Sequence, residues 1–370
     1  MTRRSRVLVI GLAVVTALLA VLGVSLSRDA ACEPVPAPPA GAAVMKAVVR
    51  RCYGPPGVLA LETVARPAVG DSDVLVRVRA ASINPLDWHF ARGKPYLMRF
   101  DVGFGRPKDP RVGVDFAGVV EAVGVNVTTF KPGDEVFGGR TGALAEFVAV
   151  PAGHGLVRKP ANVTFEEAAS VAIAGLTALQ GLRDQGHLRA GQKVLINGAS
   201  GGVGTFAVQL AKSFGAEVTG VCSSKNVELV RSIGADHVVD YGKEDFTRNG
   251  VRYDVILDNV GNRSMGDLRR ALTPKGAAVI VGGGGANEGP WIGPLVTPIK
   301  AMLLSPFVSQ KLTFFLARIN DADLATMAGL MEAGTVKPVI DRRYKLSEAA
   351  AALEYLEGGH ARGKIVITVE

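Results

Sequence analysis

The pattern of apolar and polar positions divides the chain into regions of different character. Residues 7–26 form an uncharged run of 20 residues, which predicts one hydrophobic helix long enough to span a bilayer. Between residues 45 and 166, short runs such as Val74–Ala80 alternate apolar and polar positions between Gly and Pro, which predicts a strand-rich domain. Beyond Phe165, strands alternate with helix-length segments, which is typical of a parallel sheet with crossovers.

The same pattern sets the predicted domain boundaries. The end of the chain is again strand-rich, with strands predicted at Val336–Ile340 and Lys364–Val369 on either side of a helix at Ser347–Leu356. We therefore predict an α/β chain. Its parts are an N-terminal helix with a linker (1–44), a β-rich domain (45–166), a domain built on a doubly wound parallel sheet (167–335) and a C-terminal segment (336–370).

One stretch of the parallel-sheet region predicts a dinucleotide-binding unit. The short strand Val194–Ile196 runs into the glycine-rich turn Gly198–Gly204, and a helix with one apolar face follows. The strands Val218–Cys222 and His237–Asp240 come next. This order of strand, turn, helix and strand is that of a Rossmann fold.

The glycine-rich turn has the A-x-G-x-x-G spacing, with Ala199 at the first glycine position. Gly201 and Gly204 have no Cβ, so the backbone can approach a pyrophosphate, which the helix N-terminus then attracts. The alternative is a glycine-rich surface loop. Two further strands are predicted to end beside Asn259 and Gly282. The predicted cofactor-binding residues in these places are Ala199, Ser200, Gly201, Gly202, Val203, Gly204, Asn259 and Gly282.

The end of the second strand distinguishes between the two nicotinamide cofactors. NAD-binding units usually carry an acidic residue there, which holds the ribose 2′-hydroxyl. This chain has Ser223, Ser224 and Lys225 instead, and Tyr241 follows the third strand. Because hydroxyls and a cation suit a 2′-phosphate, these four residues predict NADPH as the cofactor. The alternative is that Lys225 is a solvated lysine at a helix start.

Composition limits the classes of function. The chain has 370 residues, of which 48% are hydrophobic and 21% charged, so it has enough apolar residues for two globular domains. The net charge is +8, yet the sequence has no zinc finger and no Lys/Arg run, so we predict no nucleic-acid partner. The three cysteines are Cys32, Cys52 and Cys222, without a C-x-x-C pair, which predicts neither a disulfide framework nor a zinc ribbon.

The N-terminal run admits more than one interpretation. Arg3, Arg4 and Arg6 precede it, as in a signal peptide or a membrane anchor. These arginines favour a cytoplasmic N-terminus, and a single span would then place the body outside. A body that needs NADPH belongs in the cytoplasm, so we favour a single-pass N-terminal anchor through residues 7–26 with a cytoplasmic body. The alternative is a chain that starts at Met45, without the anchor or the Pro/Ala-rich linker.

Several further patches together resemble the medium-chain dehydrogenase/reductase superfamily, in its zinc-free, quinone oxidoreductase-like branch. They are Ala81–Asp87 (ASINPLD), Gly113–Gly124 (GVDFAGVVEAVG), Phe130–Phe137 (FKPGDEVF), Gly142–Phe147 (GALAEF) and Gly175–Ala178 (GLTA). The resemblance implies a GroES-like catalytic domain interrupted by a Rossmann domain, with the active site between them. It also implies that Asn84 borders the nicotinamide and the substrate, and that Thr177 contacts the nicotinamide end. Tyr96 and His89 are candidate proton donors, and the alternative is that solvent supplies the proton.

The zinc site of the alcohol-oxidising relatives is missing from the corresponding stretches. These read Asn84-Pro-Leu-Asp87 and Gly113-Val-Asp-Phe116, with no Cys and with Val114 where a His would stand. Zinc needs three protein ligands and an open position, so we predict no metal. Without a Lewis acid, conjugate reduction is easier than reduction of a plain ketone. The expected reaction is hydride transfer from NADPH to a small apolar α,β-unsaturated carbonyl or quinone.

Two other functions remain open from the sequence alone. One is a zinc-free alcohol dehydrogenase, and the other is a non-catalytic, membrane-tethered protein that binds NADPH. The segment Gly289–Lys311 is apolar but interrupted by four prolines, which argues against a membrane span. It is a candidate lid, a candidate edge of a homodimer, a membrane-dipping loop or a buried segment.

Overall fold

The structure is a computed structural model that describes residues 3–34, 36–282 and 289–369. Residues 1, 2, 35 and 370, which fall in the predicted terminal segments, and residues 283–288 lie outside this range. The strands are β1 (Val44–Arg50), β2 (Leu59–Ala65), β3 (Asp73–Ile83), β4 (Asp115–Val123), β5 (Glu135–Gly139), β6 (Phe147–Pro151), β7 (Leu156–Arg158), β8 (Lys193–Asn197), β9 (Glu217–Cys222), β10 (His237–Asp240), β11 (Tyr253–Asp258), β12 (Leu272–Ile280), β13 (Lys311–Phe314), β14 (Ile340–Lys345) and β15 (Lys364–Thr368). The helices are α1 (Arg3–Ser27), α2 (Pro85–Arg92), α3 (Arg99–Val102), α4 (Phe165–Ala168), α5 (Ala174–Gln180), α6 (Gly202–Ser213), α7 (Val227–Ser232), α8 (Met265–Ala271), α9 (Val296–Leu304), α10 (Asp321–Glu332) and α11 (Ala349–Glu357).

The β-rich domain is built on a mostly antiparallel sheet with the order β14-β15-β3-β4-β5-β7, and β6 also pairs with β3. Positions alternate in the middle of β3, where Val76 and Val78 are buried and Arg77 and Arg79 are exposed, as period-2 patterning requires. Strand β15 runs antiparallel to β3, with Ile365 opposite Ile83. The end of the chain therefore returns to the first domain and lies beside the strand that leads into α2.

The second domain contains a six-stranded parallel sheet with the order β10-β9-β8-β11-β12-β13. Numbered within the sheet this is 3-2-1-4-5-6, the order of a Rossmann fold, so the predicted α/β architecture is confirmed. Val194, Leu195 and Ile196 in the central strand are fully buried, because helices cover both faces of such a sheet. All residues of α5 are buried, and this helix packs between the two sheets.

The N-terminal run forms the predicted helix, α1, whose side chains Ile10, Leu18 and Val21 are more than 60% exposed. No helix in the described part of the chain combines the length and apolar character that crossing a bilayer requires. The predicted membrane span therefore lacks support.

The chain that follows α1 is fastened to the β-rich domain by a buried arginine. The guanidinium of Arg99, a fully buried residue, donates to the carbonyl oxygens of Leu26 (2.8 Å) and Arg28 (3.0 Å) and to Asp29 Oδ1 (2.6 Å). It lies over the rings of Tyr53 and Tyr96, at 4.3 and 4.7 Å from their centres. We call this set of contacts the Arg99 clasp.

The prediction of no disulfide was wrong, because Cys32 and Cys52 are bonded to each other. The Arg99 clasp brings the segment after α1 against the loop that follows β1, and the two Cα atoms come within 4.6 Å, a distance that a disulfide bridges. Sequence spacing does not reveal this approach, since it depends on the packing of Arg99. Cys222 is free and buried.

The predicted strand at Val336–Ile340 was also misplaced, since β14 begins at Ile340. The backbone before it is held from outside the sheet: Lys337 N donates to Gln209 Oε1 (2.8 Å), and Gln209 Nε2 donates to Lys337 O (3.0 Å). Because a side chain of α6 satisfies these backbone groups, no neighbouring strand is needed there.

Candidate active site between the two domains

The turn between β8 and α6 has no room for a side chain at Gly204. A Cβ on Gly204 would lie 2.1 Å from the carbonyl oxygen of Gly198, which itself has φ +78°. The methyl group of Ala199 is fully buried and lies against Gly220 in β9, where a Cβ would come within 3.0 Å of it. Alanine thus fits the first glycine position because the neighbouring strand carries a glycine. The rest of this turn, which we call the nucleotide turn, consists of Ser200, Gly201, Gly202 and Val203.

The predicted 2′-phosphate residues lie together at the ends of β9 and β10. Lys225 and Ser224 are exposed, and Tyr241 is 56% exposed. The buried Asn226, which the sequence prediction did not include, donates through Nδ2 to Ser200 Oγ (3.0 Å) and Ser223 Oγ (3.2 Å). It therefore joins the turn to this strand end.

Asp240 is an acidic residue at this end that the sequence prediction overlooked, because it ends the neighbouring strand β10 instead of β9. Its carboxylate accepts a hydrogen bond from Ser224 Oγ, which with the Gly242 N–H and Lys243 lowers its pKa. Lys243 Nζ lies 3.5 Å from the Asp240 carboxylate, and both Lys243 and Lys225 are exposed.

Asn259 and Gly282 follow β11 and β12 at the carboxyl edge of the parallel sheet, where ligands of such folds bind. Asn259 Nδ2 donates to the carbonyl oxygen of Asn197 (3.0 Å), but its buried Oδ1 has no partner. A Cβ on Gly282 would lie 2.3 Å from the Asn259 carbonyl oxygen, so a glycine is required at this close approach. The unpartnered acceptor points to a ligand that donates a hydrogen bond.

Asn84 stands at the junction of β3 and α2, where it is 2% exposed. Its backbone N–H donates to Asp87 Oδ2 (2.7 Å), and burial raises the pKa of that carboxyl to about 7. Its side-chain Oδ1 accepts from Lys364 Nζ (2.6 Å), and its Nδ2 donates to Asp115 Oδ2 (3.1 Å). The lysine and the aspartate are themselves a buried ion pair, with 3.3 Å between Nζ and Oδ2.

Thr177 lies in the buried helix α5 and is 8% exposed. Its hydroxyl donates to the carbonyl oxygen of Ile173 (2.7 Å), and the Ile173 N–H donates to Asp115 Oδ1 (2.9 Å). The two oxygens of Asp115 thus connect the elements that carry Asn84 and Thr177. The structure brings these two predicted residues into one network.

Tyr96 and His89 are not part of that network among the contacts that the structure describes. The Tyr96 ring packs edge-on against Trp291, with centroids 5.2 Å apart, and beneath the Arg99 guanidinium. His89 Nδ1 lies 2.9 Å from the Lys94 carbonyl oxygen, and burial lowers the pKa of the imidazole. Proton donation by either residue stays a prediction.

The residues present suit a dinucleotide. A phosphate group would fit at the turn between Gly198 and Gly204 and at the N-terminus of α6. Hydroxyl donors on the same ligand would match the unpartnered Oδ1 atoms of Asn226 and Asn259. In contrast, the described residues contain no group of three His, Cys, Asp or Glu side chains that could hold a metal ion.

Asp115, Lys364, Asn226 and Asp240 were missed as site residues. Asp115 lies within the motif GVDFAG, which was used for the family resemblance. There the motif was considered only because it does not match a zinc site. Lys364 begins a strand that was predicted correctly, but pairing with Asn84 across 280 residues is a property of the folded chain.

Two family models match the chain: the alcohol dehydrogenase GroES-like domain at residues 70–161 and the zinc-binding dehydrogenase model at residues 233–367. The mitochondrial NAD(P)H oxidoreductase RTN4IP1 of Mus musculus is 36% identical, over 80% of this chain and 82% of its own. The chloroplastic NADPH-dependent alkenal/one oxidoreductase of Arabidopsis thaliana is 34% identical, over 87% of this chain and 79% of its own. The structure of the quinone oxidoreductase from Coxiella burnetii matches with a TM-score of 0.77 at 30% identity, over 89% of this chain and all of that one.

Proposed function

Since the chain belongs to the zinc-free, quinone oxidoreductase-like branch of the medium-chain dehydrogenase/reductase superfamily, we propose that it transfers hydride from NADPH to a quinone or an α,β-unsaturated carbonyl. The observation that carries this proposal is the carboxamide of Asn84, which is held beside the nucleotide turn by Lys364. An amide N–H in that place suits a reaction in which negative charge develops on a carbonyl oxygen.

The choice of NADPH rests on the ends of β9 and β10. Lys225 and Lys243 together outweigh the single carboxylate of Asp240, and Ser223 adds a hydroxyl. A 2′-phosphate would gain charge-assisted hydrogen bonds there, which a 2′-hydroxyl would not. The Arabidopsis relative, whose name includes NADPH dependence, supports the same choice.

The chain's own residues would orient the reactants. NADPH, when bound, would supply the hydride for the β-carbon of the substrate. Asn84 would donate a hydrogen bond to the substrate's carbonyl oxygen, on which the charge accumulates. Thr177 uses its hydroxyl proton on Ile173, so toward a ligand its oxygen can only accept a hydrogen bond.

Turnover tests the proposal directly. NADPH oxidation should be measured at 340 nm with a panel of quinones, enones and alkenals. Reduction of NADP should be measured separately with a panel of alcohols. We expect reduction of conjugated carbonyls and little alcohol oxidation, because the described residues offer no metal site to polarise an alcohol oxygen. Faster alcohol oxidation than enone reduction would overturn the proposal.

Cofactor preference is tested by binding. We expect NADPH to bind at least about tenfold more tightly than NADH, since two or three donors to the phosphate contribute about 1.4 kcal/mol or more. Lys225→Ala should weaken NADPH and leave NADH unchanged in fluorescence titrations. Lys275→Ala, which removes an exposed lysine in β12 of the same domain, is the matched control. Equal affinities for both cofactors in the unaltered protein would contradict the choice of NADPH.

A further inference from the structure

We propose that Lys364 and Asp115 are positioning residues, which fix the carboxamide of Asn84 with an N–H available to the substrate and tie that orientation to the nucleotide turn. This inference rests on the proposed function. Lys364 is 3% exposed and Asp115 fully buried, and the family resemblance gave neither a role.

The chemistry of the two partners decides which way the carboxamide faces. An ammonium can only donate hydrogen bonds and a carboxylate can only accept them. Lys364 Nζ therefore selects Asn84 Oδ1, at 2.6 Å, and Asp115 Oδ2 selects Nδ2, at 3.1 Å. A rotation of the amide by 180° would place donor against donor and acceptor against acceptor. Asn84 therefore has a single allowed orientation.

That orientation uses only one of the two protons on Nδ2. Nothing in the described part of the chain accepts from the second N–H. Ser82 Oγ donates to the same Asp115 oxygen at 3.1 Å, which saturates that acceptor. Asn84 is thus left with one donor, which is the group that a developing enolate oxygen or quinone oxygen requires.

Lys364 also connects the amide to the nucleotide turn. The preceding residue, Gly363, donates its N–H to the carbonyl oxygen of Ser200 (2.9 Å) and pairs with Gly201. The aliphatic stem of Lys364 passes the first residue of α6, where a Cβ on Gly202 would lie 3.3 Å from Cδ. The N-terminus of α6 is where a pyrophosphate would bind, so a shift of the turn would reach Asn84 through one side chain.

Asp115 extends the same control to the other side of the cleft. Its second oxygen holds the N–H of Ile173, whose carbonyl oxygen accepts from Thr177. The ion pair therefore sets Asn84 and Thr177 in one frame. We expect its loss to affect the chemical step more than cofactor binding, because the turn keeps its own backbone contacts.

Replacing the lysine separates a positioning role from a merely structural one. Lys364→Met should lower kcat for enone or quinone reduction about 10- to 100-fold, with KM for NADPH changed by less than about threefold. Lys159→Met is the matched control, since the Lys159 side chain is similarly buried, with 4% exposed. Its partners lie outside this network: they are Glu135 and the carbonyl oxygens of Pro160 and Val163. It should change kcat by less than about twofold. An equal loss of kcat in both variants would overturn the proposal.

A double variant guards against simple unfolding. Lys364→Met leaves Asp115 as an unpaired buried charge, which is destabilising in itself. Asp115→Asn with Lys364→Met removes both charges, so we expect it to regain thermal stability without regaining kcat. If kcat returns together with stability, the pair has no positioning role.

A readout that does not need turnover keeps this inference separate from the proposed function. In protein labelled with 15N at asparagine, the Asn84 side-chain amide resonances, identified by their absence in Asn84→Ala, should form one pair, in which the proton bonded to Asp115 exchanges slowly with water. Lys364→Met should broaden them or speed their exchange. Unchanged resonances would refute the positioning role, whereas an unaltered protein that reduces no quinone or enone would refute the proposed function alone.

Discussion

Lys364 and Arg99 are both buried cations that connect distant parts of the chain, but they are satisfied in different ways. Lys364 pairs with Asp115, which is fully buried, and with the amide of Asn84. Arg99 is held mainly by backbone carbonyl oxygens, and its carboxylate partner Asp29 is 52% exposed. A buried charge needs its donors satisfied in either case. What differs is the place of the partners: those of Lys364 belong to the candidate active site, and those of Arg99 belong to a structural segment.

Removing residues 1–44 is the most severe test of this difference, because it takes away both Asp29 and Cys32. The Arg99 guanidinium then lacks three of its acceptors. The unfolded chain also loses the cross-link between Cys32 and Cys52. We expect the free energy of unfolding to fall by roughly 5 kcal/mol in denaturant titrations. NADPH affinity should stay within about threefold, since the nucleotide turn is outside the clasp. If the truncated protein had unchanged stability, the segment after α1 would be dispensable. That result would favour the alternative of a chain that starts at Met45.

The disulfide alone should account for part of that loss. Cys32→Ser with Cys52→Ser opens a loop of 20 residues, which by chain-entropy arguments costs roughly 3 kcal/mol. A reductant should lower the melting temperature of the unaltered protein and leave that of the double variant unchanged. The remaining difference from the truncated protein then measures the clasp. If reductant has no effect on the unaltered protein, Cys32 and Cys52 are not bonded in solution.

The smallest effect concerns Asp87, a fully buried carboxyl that has no ion pair in the described structure. Its pKa of about 7 lies above the ordinary value of 3.8, so between these values the folded state binds more protons than the unfolded state. The contribution of Asp87 to the free energy of unfolding is therefore fully present below its ordinary pKa of 3.8 and is lost as the pH rises through about 7. Asp87→Asn lacks this dependence, so the difference in unfolding free energy between the unaltered protein and the variant should decline by about 1 kcal/mol from pH 6 to pH 8. A difference that does not vary with pH would show that Asp87 is ionised throughout.

The sequence predicted those parts of the site that depend on local order. The turn, α6 and the strands beside it follow from apolar spacing and from glycines whose neighbours in the fold are also neighbours in the chain. Asn84 and Thr177 were identified from short motifs in the family resemblance. The Asp87 carboxyl, which accepts the backbone N–H of Asn84, was not predicted as its partner, although it lies in the same motif three residues away.

Long-range pairings could not be predicted in this way. Lys364 and Asp115 are separated by 249 residues, and Arg99 and Asp29 by 70. Nothing in the spacing of these residues indicates that they meet, because the approach depends on how the sheets pack. The misplaced strand before Ile340 has a similar origin, since the side chain of Gln209 in another domain supplies the hydrogen bonds that a strand would have provided.

The separation between Asn84 and Lys364 has a consequence for the order in which the protein can be made. A ribosome releases the chain from its N-terminus, so the partners of Arg99, at most 73 residues before it, are available once Arg99 itself has emerged. Asn84 has to wait for a lysine 280 residues later. During synthesis the Arg99 clasp can form while the Asn84 carboxamide still lacks Lys364. The network around Asn84 can therefore be completed only after Lys364 has left the ribosome.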